Sequence, residues 1–359
     1  MIYLDHNATS PLLPQALEAM LPWLGTPANP SSAHQAGQRA SAAVEHARAQ
    51  VAALVDADPR GLIFTSGATE ANHLALRGLA ALGTGDVAVS AVEHPSVLEA
   101  GRAAAQERGV ALHLVPVSFE GRLGALPSVP LAVLSVMAAN HETGVRFAVD
   151  APGVPLHVDG SQAAGRVPLA LGQATALTLS SHKLGGPSGV GALVVRQGVE
   201  LPPLLTGGSQ ERGRRAGTVN VAGVVGFGAA CELAQRTLAE RANRWGPLRQ
   251  RVESLVVGLG GAVVGAGAPR LPQTVCAVFP GLPGELLVQA LDLGGVCVSA
   301  GAACASGSTD ASPVLLAMGW EHADCTLRVS LGPRSEAADV AALEAALPDV
   351  VRRLRSALG

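Results

Sequence analysis

Short apolar runs alternate with longer amphipathic stretches up to about residue 240. The runs have the length and β-branched content of buried strands, and they are GLIFTSG, GDVAVSAVEH, VALHLVPV, LAVLSVMAAN, VPLHVDGS, ALTLSSHK and GALVVR. Between them, EANHLALRGLAALG and HPSVLEAGRAAAQERG show helical spacing and end at glycine, and ASAAVEHARAQVAALVD predicts a helix before the first strand. This alternation predicts an α/β domain with a mainly parallel central sheet flanked by helices.

The pattern changes near residue 240. A helix, RANRWGPLRQRVESLVVGL, is followed by strands around TVCAVF, VCVSA and TLRVSL, which helices separate, and by a final helix. The glycine-rich GLGGAVVGAGAP fits a strand between loops better than a linker. A chain of 359 residues is also too long for a single compact core. We therefore predict a large α/β domain at residues 15–240 and a small α+β domain formed by residues 1–14 and 241–359.

Composition and charge favour small-molecule chemistry. Charged residues make up 15% of the chain and the net charge is -3, so there is no basic surface for nucleic acid or an anionic membrane. The low charge content suggests that another subunit covers part of the apolar surface. Neither a signal-peptide pattern at the start nor an apolar run of membrane-spanning length is found, and we expect a cytoplasmic protein with no membrane or nucleic-acid partner.

The five cysteines have no regular spacing and form no C-x-x-C pair, which argues against a disulfide framework and against a metal site. Cys276 and Cys297 lie in short β-branched runs and Cys231 lies in an alanine-rich helical stretch, so buried thiols are the simplest interpretation there. Cys304 differs, because it lies among small residues in SAGAACASGS. Such a segment has few side chains to pack, and it suits a thiol that moves between two sites.

Lys183 is the only lysine among 25 basic side chains. Arginine replaces lysine wherever a solvated positive charge suffices, but it cannot supply a primary amine that loses its proton and attacks an aldehyde. A single retained lysine in LTLSSHKLGG is therefore a candidate anchor for pyridoxal phosphate. The alternative is a chance remnant on a loop.

Several polar residues directly follow predicted strands, where ligands of open α/β sheets bind. Asp159 in HVDGSQ is placed to keep a pyridine nitrogen protonated, and Gln162 to donate to a ring oxygen. His94 in VEHPSV is placed to stack on a ring. The alternatives are a turn-forming aspartate and a structural histidine.

The segment FTSGATEANHLAL leads from a strand through small residues into a helix. The backbone amides of Ala68 and Thr69 then lie at the helix N-terminus, where phosphate binds. Thr69 as a simple helix cap is the alternative.

Ten ordered motifs from Tyr3 to about Gly332 resemble those of the NifS/IscS-like cysteine desulfurases in the class V aminotransferase superfamily. They are YLDHNAT, NPSSAH, FTSGATE, EHPSV, HETGV, HVDGSQ, SSHK, GGSQERGRRAGT, SAGAACAS and LRVSLG. The resemblance implies a fold-type I pyridoxal-phosphate enzyme.

The resemblance also assigns roles to individual residues. It implies that Lys183, Cys304 and His94 are catalytic, and that Arg328 and Asn140 bind substrate. The implied cofactor contacts are Ala68, Thr69, His94, His141, Asp159, Gln162, Ser180, His182, Lys183 and Thr218. Thr218 is expected to reach the cofactor phosphate of the neighbouring subunit, which implies a homodimer. The implied reaction converts L-cysteine to L-alanine and leaves the sulfur on Cys304 as a persulfide.

Three departures from the family pattern concern the site and the partners. His141 stands where the family usually has the second asparagine of Asn-Asn-Glu. The segment between Gly144 and His157 is too short for the usual helix, and the chain ends soon after Arg355 without the tail that some members use to dock a scaffold protein. We expect a sulfur-acceptor protein, either an iron-sulfur scaffold or a thiolation enzyme.

Three other functions compete with the desulfurase. An aminotransferase or a selenocysteine lyase of the same fold would share the cofactor site, and Cys304 would be incidental to an aminotransferase. A catalytically silent assembly scaffold would lack catalytic groups, yet Lys183, Asp159, His94, Arg328 and Cys304 are all present.

Overall fold

The computed structural model describes residues 1–301 and 311–358. The α-helices within these ranges are α1 (Pro14–Leu24), α2 (Gln35–Ala53), α3 (Ala68–Leu82), α4 (Pro95–Arg108), α5 (Val221–Arg236), α6 (Leu238–Gly258), α7 (Gly284–Leu293), α8 (Pro313–Ala317) and α9 (Ala337–Leu358). The strands are β1 (Ile2–Tyr3), β2 (Leu62–Thr65), β3 (Asp86–Ser90), β4 (Leu112–Val115), β5 (Leu131–Ser135), β6 (Leu156–Asp159), β7 (Ala176–Ser180), β8 (Gly191–Val195), β9 (Ala262–Val263), β10 (Thr274–Val278), β11 (Val296–Cys297) and β12 (Thr326–Ser330).

A seven-stranded sheet with the order β2-β8-β7-β6-β5-β3-β4 forms the centre of the larger part. In this sheet β8 is antiparallel to both of its neighbours, β2 and β7, and the other neighbouring pairs are parallel. Alternate residues of a strand point to opposite faces, so Leu62 and Phe64 pack with α2 and α5 while Ile63 packs with α3 and α4. The predicted α/β class with a mainly parallel, helix-covered sheet is confirmed.

Close packing fixes the start of α3 relative to β8. A Cβ atom on Gly191 would lie 2.6 Å from the backbone carbon of Gly67, so only glycine fits at this position. The turn between β2 and α3 therefore rests directly on the neighbouring strand. This contact places the first residues of α3 at the edge of the sheet.

The C-terminal part has its own sheet and core. The antiparallel strands β12, β10 and β9 pack against α6 and α9 in a cluster that includes Trp245, Phe279 and Leu343. The N-terminal strand β1 joins this part by pairing with β11. These contacts support our proposal of a small domain built from both ends of the chain, although α6 begins at Leu238, just before the proposed boundary.

The carboxyl ends of β2, β3, β6 and β7 lie at the same edge of the central sheet, where they converge on the N-termini of α3 and α4. Within the described ranges no helix is both long and apolar enough to cross a membrane. The same ranges contain no cluster of three or more histidine, cysteine or acidic side chains suited to a metal ion.

Candidate active site

A cavity of about 440 Å³ opens at this edge of the sheet. Many of the residues singled out from the sequence line it: Ala68, Thr69, His94, His141, Asp159, Gln162, Ser180, His182, Lys183 and Arg328. They come from six separate segments of the chain. The fold thus brings together in space what the motifs suggested one at a time.

Lys183 follows β7 in a short 3₁₀ turn, Ser181–Lys183. Its Nζ atom donates hydrogen bonds to the backbone oxygens of Asn7 at 2.6 Å and Ala8 at 2.7 Å. The amine is therefore held at the cavity wall by the segment that follows β1. This position suits a lysine that must meet an aldehyde inside the cavity.

Asp159 ends β6 and is buried. Its Oδ1 atom accepts from the backbone amide of Ser161 at 2.9 Å, and Oδ2 accepts from Asn72 Nδ2 at 3.0 Å. Gln162 donates one amide hydrogen to the backbone oxygen of Asn7 at 3.0 Å, and its Oε1 atom accepts from Arg166. The carboxylate is thus fixed in orientation, and the second Nε2 hydrogen of Gln162 remains for another acceptor.

His94 is the N-cap of α4. Its Nδ1 atom accepts from the backbone amide of Ser96 at 3.1 Å and lies 2.8 Å from Ser96 Oγ. Its ring meets the His141 ring edge-on, with centroids 5.4 Å apart. Burial, together with the nearby His141 and Lys183, lowers the pKa of His94 to about 4. The ring is consequently neutral at physiological pH.

The start of α3 forms one end of the cavity. No side chain in the described ranges caps this helix, and Ala68 and Thr69 face the cavity directly. Ser180 and His182 line the cavity as well. Burial and the charge of Lys183 lower the pKa of His182 to about 4. Backbone amides at a helix N-terminus beside neutral polar groups make a suitable site for a phosphate.

Three buried polar atoms of the lining residues have no hydrogen-bond partner among the described residues. They are His141 Nδ1, Ser161 Oγ and Arg328 Nε. Unpaired buried polar groups are costly, and several in one cavity indicate a polar ligand. A primary amine, a fixed carboxylate and an uncapped helix N-terminus match the aldehyde, the pyridine nitrogen and the phosphate of pyridoxal phosphate. The residues present therefore fit this cofactor.

Arg328 is the central residue of β12, which is an edge strand of the C-terminal sheet. Only 2% of its surface is exposed. One NH2 hydrogen goes to Asp5 Oδ1 at 2.7 Å, and NH1 donates to the backbone oxygen of His141 at 3.1 Å. The guanidinium group lines the cavity. A buried, oriented guanidinium group is suited to binding a carboxylate.

One residue of the site, Arg166, has no recognisable signal in the sequence. Arg166 is buried and donates to the backbone oxygens of His6 and Lys183 and to Asn7 Oδ1. Burial, with the like charge of Arg328, lowers the pKa of Arg166 to about 9. Arg166 connects the segment after β1 to the segment of Lys183, and an arginine among alanines and glycines does not reveal that role in the sequence.

Three of the residues singled out from the sequence do not line this cavity in the described structure. Asn140 is buried, and its amide serves the backbone of residues 92, 142 and 143, which favours a structural role in closing the turn that presents His141. Thr218 lines an adjoining cavity with Phe64 and Arg215. Cys304 lies outside the described residues.

Comparison with known proteins places these features in a family. A sequence profile described as Aminotransferase class-V matches residues 2–343. A protein named cysteine desulfurase from Cereibacter sphaeroides is 40% identical, and the match covers 99% of this chain and 97% of the relative. A cysteine desulfurase from Klebsiella pneumoniae is also 40% identical, over 99% of this chain and 94% of the relative.

Solved structures show the same similarity. A structure described as a NifS-like protein superposes with a TM-score of 0.88 at 30% identity, covering 98% of this chain and 100% of that one. A structure described as SspA in complex with cysteine has a TM-score of 0.78 at 28% identity, covering 93% of this chain and 99% of that one. The similarity thus extends over nearly the whole length of both folds.

Proposed function

This chain belongs to the class V aminotransferase family, and from that premise we propose that it is a pyridoxal-phosphate-dependent cysteine desulfurase. It converts L-cysteine to L-alanine and transfers the sulfur to Cys304 as a persulfide. The observation that carries the proposal is the position of the only lysine in the chain. Lys183 lies in one cavity with Asp159, the start of α3 and Arg328.

Each part of the cofactor has a matching group in the cavity. Lys183 would hold the aldehyde carbon, and Asp159 the pyridine nitrogen. The phosphate would be held by the first amides of α3 together with the side chains of Ser180 and His182. The remaining contacts to the ring and its hydroxyl would come from His94, His141 and Gln162. When bound, pyridoxal phosphate supplies an electron sink for charge that develops at the substrate Cα atom.

The protein groups position the substrate and move its protons. Arg328 binds the α-carboxylate of L-cysteine through its guanidinium hydrogens. The Nζ atom of Lys183 removes the proton from Cα and returns protons during formation of alanine. Burial of Arg328 strengthens its interaction with a carboxylate, since little water competes there.

Cys304 completes the reaction as the nucleophile. Its thiolate attacks the substrate sulfur, the carbon-sulfur bond breaks, and a sulfur-sulfur bond forms on the enzyme. The carbon fragment takes up a proton and leaves as alanine. L-cysteine and one enzyme thiol therefore give alanine and one enzyme persulfide, so no external oxidant or reductant is needed.

The test is an assay of alanine and sulfide with L-cysteine and the protein loaded with pyridoxal phosphate. We expect a yellow protein that makes one alanine for each sulfur released, and a Cys304→Ala variant that binds the cofactor but forms no persulfide. Cys297→Ala is the matched control, because this thiol stands seven positions before Cys304 in the sequence and outside the cavity lining, and it should retain activity. Turnover by Cys304→Ala would instead favour an aminotransferase or a lyase. A protein that cannot be loaded with pyridoxal phosphate would contradict the proposal altogether.

The partners are part of the same proposal. We infer a homodimer in which Thr218 reaches the phosphate site of the neighbouring subunit, and a protein that accepts sulfur from Cys304. Thr218 does not line the main cavity of its own subunit but lines a cavity adjoining it, which supports a contact with a site other than its own. The acceptor is either an iron-sulfur scaffold or a thiolation enzyme.

A further inference from the structure

Four side chains of the cavity region, three of them buried, are joined in series by hydrogen bonds. Asn72 Nδ2 lies 3.0 Å from Asp159 Oδ2 and 2.9 Å from Ser96 Oγ, and Ser96 Oγ lies 2.8 Å from His94 Nδ1. We call Asp159, Asn72, Ser96 and His94 the four-residue network. It connects the carboxylate at the end of β6 with the imidazole at the start of α4.

The direction of these bonds follows from their chemistry. An amide nitrogen only donates, so Asn72 gives one hydrogen to Asp159 and the other to Ser96 Oγ. The reversed amide would place its oxygen against the Asp159 carboxylate, where two acceptors would repel. Ser96 Oγ accepts from Asn72 and still has its own hydrogen, which it can donate to Nδ1 of His94.

A second donor acts on the same nitrogen of His94. The backbone amide of Ser96 donates to Nδ1 at 3.1 Å, because His94 caps α4. A backbone N–H group can only donate a hydrogen bond, so Nδ1 of His94 must accept it through a lone pair. The positive end of the helix dipole also disfavours a charged imidazole at this position.

We propose that Asn72 and Ser96 are positioning residues that fix His94 as the neutral tautomer with its proton on Nε2, and that they tie this state to the carboxylate of Asp159. The inference deepens the proposed function, on which it rests for its role in the reaction. An imidazole nitrogen that already carries hydrogen cannot accept a proton. His94 therefore donates a hydrogen bond and stacks, and proton removal falls to Lys183.

The test is nitrogen NMR of the cofactor-loaded protein labelled with ¹⁵N-histidine, with the His94 signals assigned from their loss in His94→Gln. An unprotonated ring nitrogen resonates far downfield of a protonated one. In the unmodified protein at neutral pH we expect Nδ1 of His94 to be unprotonated and Nε2 to be protonated. A protonated Nδ1 would overturn the proposal, and this readout needs no variant of the network.

Variants of the network test the positioning role. Asn72→Asp replaces the donor by an acceptor, which draws the Ser96 hydrogen away from His94, so the pKa of His94 should rise by about one unit, a tenfold change in proton affinity. Ser96→Ala should also raise the pKa of His94, whereas Ser96→Thr keeps the hydroxyl group and should restore the original value. Ser161→Ala is the control and should leave the pKa of His94 unchanged. It removes a hydroxyl group that lines the same cavity but bonds to none of the four side chains.

The outcomes separate this inference from the proposed function. Unchanged His94 signals in both Asn72→Asp and Ser96→Ala would overturn the positioning role, even if the protein makes alanine from L-cysteine. Absence of alanine together with the expected His94 tautomer would instead contradict the desulfurase reaction and leave the network intact.

Discussion

Arg328 and Asp5 are 323 positions apart in the sequence but form an ion pair of 2.7 Å beside the cavity. Asp5 follows β1 and forms an isolated parallel bridge with Ser330, which brings its carboxylate to the guanidinium group of β12. A guanidinium group this buried needs a partner for its charge. Asp5 therefore both neutralises Arg328 and sets the direction in which its remaining hydrogens point.

We expect Asp5→Asn to weaken binding of L-cysteine. Loss of a charge-assisted hydrogen bond is worth about 1.5–3 kcal/mol, so kcat/KM should fall about ten- to hundredfold. Most of the loss should be in KM, because Arg328 keeps its charge but loses its orientation. Steady-state kinetics would measure both constants. Asp349→Asn, at an exposed ion pair with Arg352, is the matched control and should change neither. A fall in kcat with an unchanged KM would contradict this role.

Local sequence patterns predicted the sheet and six residues of the cavity lining, and the family resemblance added four more. Apolar runs mark the strands, and small residues after the runs mark the ends where Asp159 and Lys183 lie. The pairings of Asp5 with Arg328 and of Asn72 with Asp159 join segments far apart in the chain. No spacing or periodicity encodes such contacts, so only the fold reveals them.

Glu93 should make stability depend on pH. Burial, reinforced by the charge of Asp159, raises the pKa of Glu93 from 4.5 to about 8. Between these values the folded protein keeps a proton that the unfolded chain has released. The free energy of unfolding should therefore fall as pH rises through this window, by at most about 1.4 kcal/mol per pH unit.

Glu93→Gln should remove this contribution, because glutamine stays neutral at every pH in the window. Urea unfolding at several pH values between the two pKa values and above would show a flatter dependence for the variant. Glu99→Gln, at an exposed position on α4, is the control and should keep the original slope. Equal slopes for Glu93→Gln and the unmodified protein would show that Glu93 does not bind a proton on folding.

A buried ion pair anchors the loop that carries Thr218. Arg48 donates to both carboxylate oxygens of Glu211 at 2.8 and 2.9 Å, and Glu211 Oε2 also accepts from the backbone amide of Phe64. Glu211 has a positive φ of 48°, a conformation that needs such support.

Arg48→Met should lower the free energy of unfolding by about 3–5 kcal/mol, because it leaves the carboxylate of Glu211 buried without its cation. Arg60→Met removes one partner of an exposed ion pair with Asp58 and should leave the free energy of unfolding nearly unchanged. Urea unfolding measures both changes. Similar costs for the two variants would mean that the Arg48 pair contributes no more than a surface contact.

The proposed role of Thr218 across the subunit boundary is testable by mixing two impaired forms of the protein. Lys183→Ala removes the amine from its own subunit, and Thr218→Val should weaken cofactor binding in the neighbouring subunit. In a mixed dimer, one site then combines both defects, while the other site has an intact Lys183 and an intact Thr218. Because a two-fold dimer contains two equivalent sites, random co-expression of the two forms should restore about a quarter of the original activity.

A Thr218 that acts within its own subunit predicts a different activity for the mixture. If Thr218 acted within its own subunit, each site of a mixed dimer would keep one defect, and the mixture would show only the average of its two parents. Differently tagged subunits allow the mixed dimer to be purified, and its cofactor content gives a second readout that does not depend on turnover. One fully loaded site for each mixed dimer supports the contact across the boundary. Two impaired sites, one without the lysine amine and one with the Thr218→Val defect, contradict it, as does a Thr218→Val protein with unchanged cofactor affinity.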